Sequence, residues 1–260
     1  MIAVEWGAAT DVGRVRRVNE DALLTEPPVF LVADGMGGYA AGDVASAIVV
    51  DEFRLAEAAG NVGPDWVLDR FRAADQRIRE CGGGGTTVAG ILAVEEGDDS
   101  YWLVFNLGDS RVYHRTEGVL SQISVDHSVV QELVDAGALT AERARLHPQR
   151  HVITRAVGAE DEPAPDFWLL PARVGDRLML CSDGLCGEVE ADAIRAVVLD
   201  GDQPQQVADD LLELAMSAGG RDNVTVIVVD VTAVANEQPR AETTIRRADL
   251  VSPVQPQREA

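Results

Sequence analysis

Four stretches of the 260-residue chain set an Asp and a Gly at the edge of an apolar run. Val29 to Ala33 leads into Asp34-Gly35, Leu103 to Leu107 into Gly108-Asp109-Ser110, and Leu178 to Cys181 into Ser182-Asp183-Gly184; Gly220-Arg221-Asp222-Asn223 enters the run Val224 to Val229. A buried strand holds its end rigidly, and an adjacent Gly lets the backbone pass close to a ligand. Any one such pair is ordinary turn chemistry. Four of them on apolar strands point to acids gathered in one place. Carboxylates so gathered repel and raise one another's pKa unless a cation sits among them. With oxygen ligands and no suitable His or Cys set, magnesium or manganese is favoured over zinc.

Near the N-terminus, Arg16 stands four and five residues ahead of Glu20 and Asp21. Alone this is a charged turn. Beside a metal cluster, a guanidinium fork can hold a phosphate bidentately while acids orient water. The segment Gly35-Met36-Gly37-Gly38-Tyr39-Ala40 fits the permissive dinucleotide fingerprint, but Asp34 would face a pyrophosphate there. Nucleotide binding is therefore disfavoured, and Gly82 to Gly85 reads as a flexible turn.

These residues need elements to hold them. Strands are expected at Val4 to Thr10, Asp21 to Thr25, Val29 to Ala33, Thr86 to Val94, Tyr101 to Leu107, Arg111 to Arg115, Gly118 to Ser124, Phe167 to Leu170, Arg177 to Cys181 and Val224 to Val231. Helices are expected at Gly42 to Ala59, Asp65 to Arg79, Ser128 to Ala136, Ala191 to Leu199 and Pro204 to Ala218. Strands follow one another through short turns between 86 and 124, so the class is α+β with antiparallel pairing. Residues 125 to 165 read as an irregular surface excursion. Two packed antiparallel sheets with helices outside would bury such strands.

Composition narrows the function. All 22 basic residues are Arg, against 44 acids, for a net charge of −22. The absence of Lys excludes a Walker A loop and Schiff-base chemistry. The acidic surplus argues against nucleic acid and anionic membrane as partners. No apolar run approaches the roughly 18 residues of a membrane span, so a cytoplasmic protein is expected. Cys81, Cys181 and Cys186 show no metal or CxxC spacing and read as buried small apolar side chains. Residues 1–235 are expected to form one folded domain. Residues 236–260, with no aromatic residue and three Pro, are expected to be a disordered tail.

Seven motifs in sequence order resemble the metal-dependent Ser/Thr protein phosphatases of the type 2C (PPM) family, in particular its compact bacterial members. They are Arg16-x-x-Asn19-Glu20-Asp21, Ala33-Asp34-Gly35-Met36-Gly37-Gly38, Gly85-Thr86-Thr87, Asn106-x-Gly108-Asp109-Ser110-Arg111, Asp126-His127-Ser128, Cys181-Ser182-Asp183-Gly184-Leu185 and Asp222-Asn223-Val224-Thr225. The resemblance implies a central sandwich of two antiparallel β-sheets flanked by α-helices on both sides, with two or three divalent cations, manganese or magnesium, at one end. By this likeness Asp34 bridges two metals, the Gly35 carbonyl binds one, and Asp183 and Asp222 bind the other. Glu20 and Asp21 lie close, through water. Asp109 shares a third, weaker metal with Asp183, and Arg16 holds the phosphate. The excursion at 125 to 165 corresponds to a mobile flap.

The implied reaction is hydrolysis of phosphoserine and phosphothreonine on proteins by direct attack of a metal-bridging water. No covalent phospho-enzyme is needed. Met36 stands where animal members carry a His, and a thioether cannot donate a proton to the leaving alkoxide. The expected role is to oppose a bacterial Ser/Thr kinase, as a monomer. The alternatives are a phosphatase dedicated to one regulator, such as an anti-anti-sigma factor, and a non-catalytic phosphoprotein-binding module. In the tail, Thr243 or Thr244 beside Glu242 could be phosphorylated and recognised by a forkhead-associated domain.

Overall fold

The computed structural model describes residues 2–37, 41–56, 62–159 and 162–235. The strands are β1 (Ala3–Asp11), β2 (Asp21–Glu26), β3 (Val29–Met36), β4 (Gly85–Thr86), β5 (Val88–Glu96), β6 (Asp99–Leu107), β7 (Arg111–Thr116), β8 (Val119–Gln122), β9 (Asp166–Pro171), β10 (Arg177–Cys181) and β11 (Val224–Ala233). The helices are α1 (Gly42–Phe53), α2 (Pro64–Glu80), α3 (Val129–Asp135), α4 (Ala141–Ala144), α5 (Asp183–Cys186), α6 (Ala191–Asp200) and α7 (Pro204–Ala218). One sheet runs β1-β11-β10-β7-β8, and the other runs β2-β3-β5-β6-β9 with β4 added to β3. The pairings are antiparallel.

The period-2 alternation of side chains sorts each central strand into two faces. On β3, Phe30 and Val32 point between the sheets, where they pack with Ile91, Val104, Leu180, Ile227 and Val229. Leu31 and Ala33 point the other way, into a layer with Val49 and Phe53 of α1 and Val67 and Phe71 of α2. On the opposite sheet, Met179, Val226 and Val228 pack under Ile194 and Val198 of α6 and Val207 and Leu211 of α7. Strands covered on both faces carry few polar residues along their middles, which explains the near-continuous apolar runs in the sequence. The result is the α-β-β-α order expected.

Helix α2 begins with Pro at its first turn and ends with Arg77 and Arg79, both favourable placements. Its buried face is Val67, Phe71, Ala74 and Ile78, at helical spacing, and Trp66 and Leu68 are partly buried at its border. Phe53 of α1 stacks on Phe105 at 5.3 Å and meets Phe71 edge-on at 5.4 Å. This aromatic cluster presses α1 onto the sheet, and α1 follows directly from the segment that carries Asp34.

Several boundaries differ from expectation. Asp34 and Gly35 do not follow β3 but lie inside it, since the strand continues to Met36 and pairs with β4. The strand expected from Thr86 to Val94 is broken at Thr87, because the Thr87 amide and the Thr86 hydroxyl both turn to donate to the Asp34 carbonyl, each at 2.9 Å. Helix α1 ends at Phe53, short of Ala59, and residues 57–61 lie outside the described residues. Strand β8 is Val119–Gln122 rather than Gly118 to Ser124, because the Ser124 hydroxyl accepts from the Val112 amide and draws the chain out of the ladder.

The excursion at 125 to 165 carries α3 and α4, and its ends are pinned. Isolated bridges join Ser128 to Ile153 and Thr86 to Val157, and Val157 is buried. Tail residues 236–260, including Thr243 and Thr244, lie outside the described residues, as do Gly38, Tyr39 and Ala40. Among the described residues, no helix is long and apolar enough to cross a membrane.

Candidate metal centre

Both sheets contribute acids to one end of the sandwich. Asp21 opens β2 and sits directly opposite Asp34 in the β2/β3 register. Asp109 occupies the turn between β6 and β7, Asp183 begins α5 just after β10, and Asp222 stands two residues before β11. Strands β10 and β11 are paired neighbours, so Asp183 and Asp222 leave the same edge of the sheet.

The two sheets are tied together here through Asp21. Its Oδ2 accepts from the hydroxyls of Ser182 at 2.8 Å and Thr225 at 2.7 Å, and the Ser182 hydroxyl in turn accepts from the Thr225 amide. Backbone contacts are just as close. The Gly35 amide donates to the Glu20 carbonyl at 3.1 Å, and a Cβ at Gly35 would fall 2.3 Å from the Gly42 carbonyl oxygen. Only Gly fits that crossing, whatever its dihedrals. At Gly184 a Cβ would come within 2.0 Å of the Asn223 carbonyl oxygen, which makes the turn carrying Asp183 equally intolerant.

Asn223 holds the loop between β1 and β2. Its side-chain amide donates to the carbonyls of Val12 and Val18, and its oxygen accepts from the Glu20 amide at 2.9 Å. Arg16, at the crest of that loop, donates from Nη2 to Asp222 Oδ2 at 2.6 Å. Asp222 Oδ1 accepts from the Asn223 amide, so both oxygens of Asp222 are engaged. On the far side His127 is buried. Its Nδ1 accepts from the Gly108 amide at 3.1 Å and its Nε2 faces Asp166 Oδ2 at 3.1 Å, fixing the turn that carries Asp109.

The electrostatics follow from this crowding. Burial, and then the charges of Asp21, Asp183, Asp109 and Asp222, hold the Asp34 carboxyl well above the usual carboxylate range. Asp109 is pushed up to about 7 by burial and by Asp183 and Asp126, against the pull of Arg111. Burial lifts Asp21 to about 6 in spite of its two hydroxyl donors. Glu20 is also raised by burial, while Arg16 opposes the shift. Arg16 is raised in turn, first by its hydrogen bond to Asp222.

Two observations bear on whether a cation fits. Asp21 Oδ1 and Asp109 Oδ1 are buried without a hydrogen-bond partner, and orphaned carboxylate oxygens of this kind are costly unless something positive meets them. The donor set is all oxygen, as a hard cation requires. Yet among the described residues no three or more His, Cys, Asp and Glu side chains are arranged to hold a metal ion. The charges of Asp183 and Asp222 both act on Asp34, and Asp222 is engaged by Arg16.

Beside Asp109 and Asp183 opens a cleft of about 580 Å³, walled by Arg111, Tyr113, Arg145, Arg150 and His151. His151 Nδ1 stands 3.8 Å from Asp183 Oδ2, and that carboxylate raises its pKa. Ser182, Thr225 and Asn223 sit inside motifs visible in the sequence, but nothing local announced that they would tether Asp21 and the Arg16 loop. His151 lies in the weakly periodic excursion at 125 to 165, where nothing in the sequence singles it out.

A comparison with models of known protein families finds no match. Among curated proteins, the chain is 38% identical over 246 residues to the serine/threonine protein phosphatase PstP of Mycobacterium tuberculosis, covering 88% of this chain. It spans only 45% of that relative's length. It is 33% identical over 242 residues to the protein phosphatase PhpP of Streptococcus pneumoniae, covering 87% of this chain and 97% of the relative. Among solved structures, the PPM Ser-Thr phosphatase MsPP of Mycobacterium smegmatis, in complex with cacodylate, superposes with a TM-score of 0.80 at 38% identity, over 87% of this chain and 98% of that one. The catalytic domain of PstP in complex with two manganese ions superposes with a TM-score of 0.77 at 35% identity, over 90% of this chain and all of that one. With a full-length relative at this identity, and its acids gathered at the end of a two-sheet sandwich, the chain belongs to the bacterial Ser/Thr protein phosphatases of the PPM type.

Proposed function

We propose that this chain hydrolyses phosphoserine and phosphothreonine monoesters on proteins, with divalent cations held among its acids. The observation that carries this reading is the set of mutually repelling carboxylates around Asp34, two of them with a buried unpartnered oxygen, of which Asp109 and Asp183 also line a cleft. In the proposed arrangement Asp34, the Gly35 carbonyl, Asp183 and Asp222 hold two cations. Asp109 shares a third with Asp183, and Glu20 and Asp21 stand behind them. Manganese or magnesium suits these oxygen donors, and the two manganese ions of the related PstP structure support the assignment.

When bound, such a pair of cations supplies a water of lowered pKa and neutralises charge on the phosphoryl group. The protein's own residues do the rest. Arg16 is half-exposed on a loop held by Asn223, so its guanidinium can exchange Asp222 for a substrate phosphate without unfolding anything. Asp21 stays bound to Ser182 and Thr225 and keeps the sheets in register under the site. Met36, at the end of β3, has no proton to give, so protonation of the leaving alkoxide falls to another group.

Proteins phosphorylated by a Ser/Thr kinase are the proposed substrates, with the chain acting as a monomer in the cytoplasm. Dedication to a single regulator, or binding without catalysis, is not favoured by relatives named as phosphatases. The test is phosphate release from a phosphothreonine peptide. Manganese should support turnover and a chelator should abolish it; turnover indifferent to both would overturn the reading.

A further inference from the structure

Two of the three cysteines, five residues apart, bracket Asp183. Cys181 is the last residue of β10 and is buried, whereas Cys186 ends the single turn α5 and borders the cleft. Their sulfurs are 3.5 Å apart. Both are free thiols, and Cys81 is exposed on its own at the end of α2, so the expectation of three buried apolar side chains fails for Cys81 and is incomplete for the other two. The Tyr113 hydroxyl lies 3.4 Å from the Cys186 sulfur, and Arg111 donates to that hydroxyl at 3.3 Å. The accessible thiol therefore has a polar, cation-backed neighbourhood, which is where cysteines react.

We propose that Cys186 and Cys181 form a reversible dithiol–disulfide pair, oxidised by a hydroperoxide that enters through the cleft. The Cys186 thiolate attacks the peroxide oxygen; the O–O bond breaks, an alcohol or water leaves, and the sulfur becomes a sulfenic acid. The Cys181 sulfur then attacks the Cys186 sulfur, an S–S bond forms, and the hydroxyl departs with a proton as water. The buried Cys181 is the resolving thiol because its sulfur lies 3.5 Å from that of Cys186, whereas Cys81, the third cysteine, is exposed at the end of α2.

The consequence lies between the two sulfurs. Closing the bond shortens a 3.5 Å separation to about 2.05 Å. The six-residue ring so formed contains Ser182, which donates to Asp21, and Asp183 itself. Gly184 cannot yield, since its Cα already lies against the Asn223 backbone. The strain falls on Ser182 and Asp183, so oxidation shifts Asp183 and lowers manganese affinity by about tenfold, the scale seen when the support of a metal ligand is lost. This consequence rests on the proposed role of Asp183; the disulfide itself does not.

The experiment treats the full chain, in parallel with Cys81→Ser, with hydrogen peroxide and then alkylates under denaturing conditions. Intact mass should show loss of two hydrogens per chain, and peptide mapping should link 181 to 186 in both proteins. Manganese titration calorimetry should show about tenfold weaker binding, restored by dithiothreitol. Cys186→Ser and Cys181→Ser should each form no intramolecular link. Both thiols remaining alkylatable in the wild type, while Cys81 is oxidised, would overturn the proposal. A 181–186 link with unchanged manganese binding would overturn the coupling to Asp183. A protein that forms the link yet never hydrolyses a phosphopeptide would count against the phosphatase reading and leave the disulfide standing.

Discussion

Strands β10 and β11 carry charge at both ends, and the two ends are built in opposite ways. At one end Arg177 is 2% exposed and every donor direction is used. Nε and Nη2 grip Asp230 at 2.6 and 2.7 Å, Nη1 donates to the carbonyls of Val198 and Gly201, and Nη2 also reaches Asp202. At the other end Asp183 and Asp222 join Asp34, Asp21 and Asp109, whose charges raise Asp34, and two carboxylate oxygens are buried without a partner. The first arrangement is complete within the chain. The second is complete only with something added. A buried charge whose hydrogen bonds close internally serves the fold, whereas one left open has been kept for a ligand.

The sharpest test is to remove the central acid of the open end. Asp34→Asn is expected to lower kcat/KM on a phosphothreonine peptide by about 10³-fold or more. The same change should raise the metal-free melting temperature, because it deletes a charge that its neighbours repel. A loss of activity accompanied by a loss of stability would erase the contrast between the two ends.

Next comes the closed end. Arg177→Met leaves Asp230 and three backbone carbonyls unpaired and is expected to cost about 3–5 kcal/mol in urea unfolding. The folded fraction should keep its kcat/KM. An activity defect in fully folded protein would mean that the two ends are not independent.

The open end should also show itself in pH and metal dependence. Asp21 and Asp109 have folded pKa values raised to about 6 and about 7 from an ordinary 3.8. Through that interval the folded protein holds protons that the unfolded chain has released. Their contribution to stability is full below 3.8 and is lost as pH rises through about 6 and 7. Metal-free protein should therefore lose stability from pH 5 to pH 8, and manganese at 100 times its Kd should restore about 2.7 kcal/mol near pH 8. Melting curves with chelator and with manganese measure both effects; parallel curves across the range would remove the open end as a cation site.

The smallest effect belongs to Arg16. Its pair with Asp222 is half-exposed, so Arg16→Ala should cost no more than about 1 kcal/mol of stability. Loss of its fork should lower kcat/KM by about tenfold, chiefly through KM. A larger stability cost would place Arg16 with Arg177, as a structural charge.

Much of the fold was legible because alternation and burial leave local traces. The runs Val29 to Ala33 in β3 and Leu178 to Cys181 in β10 are apolar throughout, the run Val224 to Val229 in β11 is apolar but for Thr225, and α7 was delimited by a Pro that can start a helix and a Gly that follows its end. The carboxylates at 34, 109, 183 and 222 stood out for their place beside those runs. Less legible was anything decided by a partner far along the chain. The break at Thr87 depends on the Asp34 carbonyl, the tether at Asp21 depends on Ser182 and Thr225, and the loop with Arg16 depends on Asn223. A polar residue looks the same in sequence whether its hydrogen bonds go to water or to a strand two hundred residues away.

By itself, then, the sequence determined which stretches are covered on both faces, which acids stand at their edges, and that no Lys chemistry is available. Tertiary structure alone decided that Asp34 lies within β3, that Arg16 rests on Asp222, that Arg177 is closed off by Asp230, and that Cys181 and Cys186 meet. The division has one cause. Burial acts on each residue through its immediate periodicity, whereas hydrogen bonds and ion pairs act over a few ångströms, and only folding determines which distant residues come within that range.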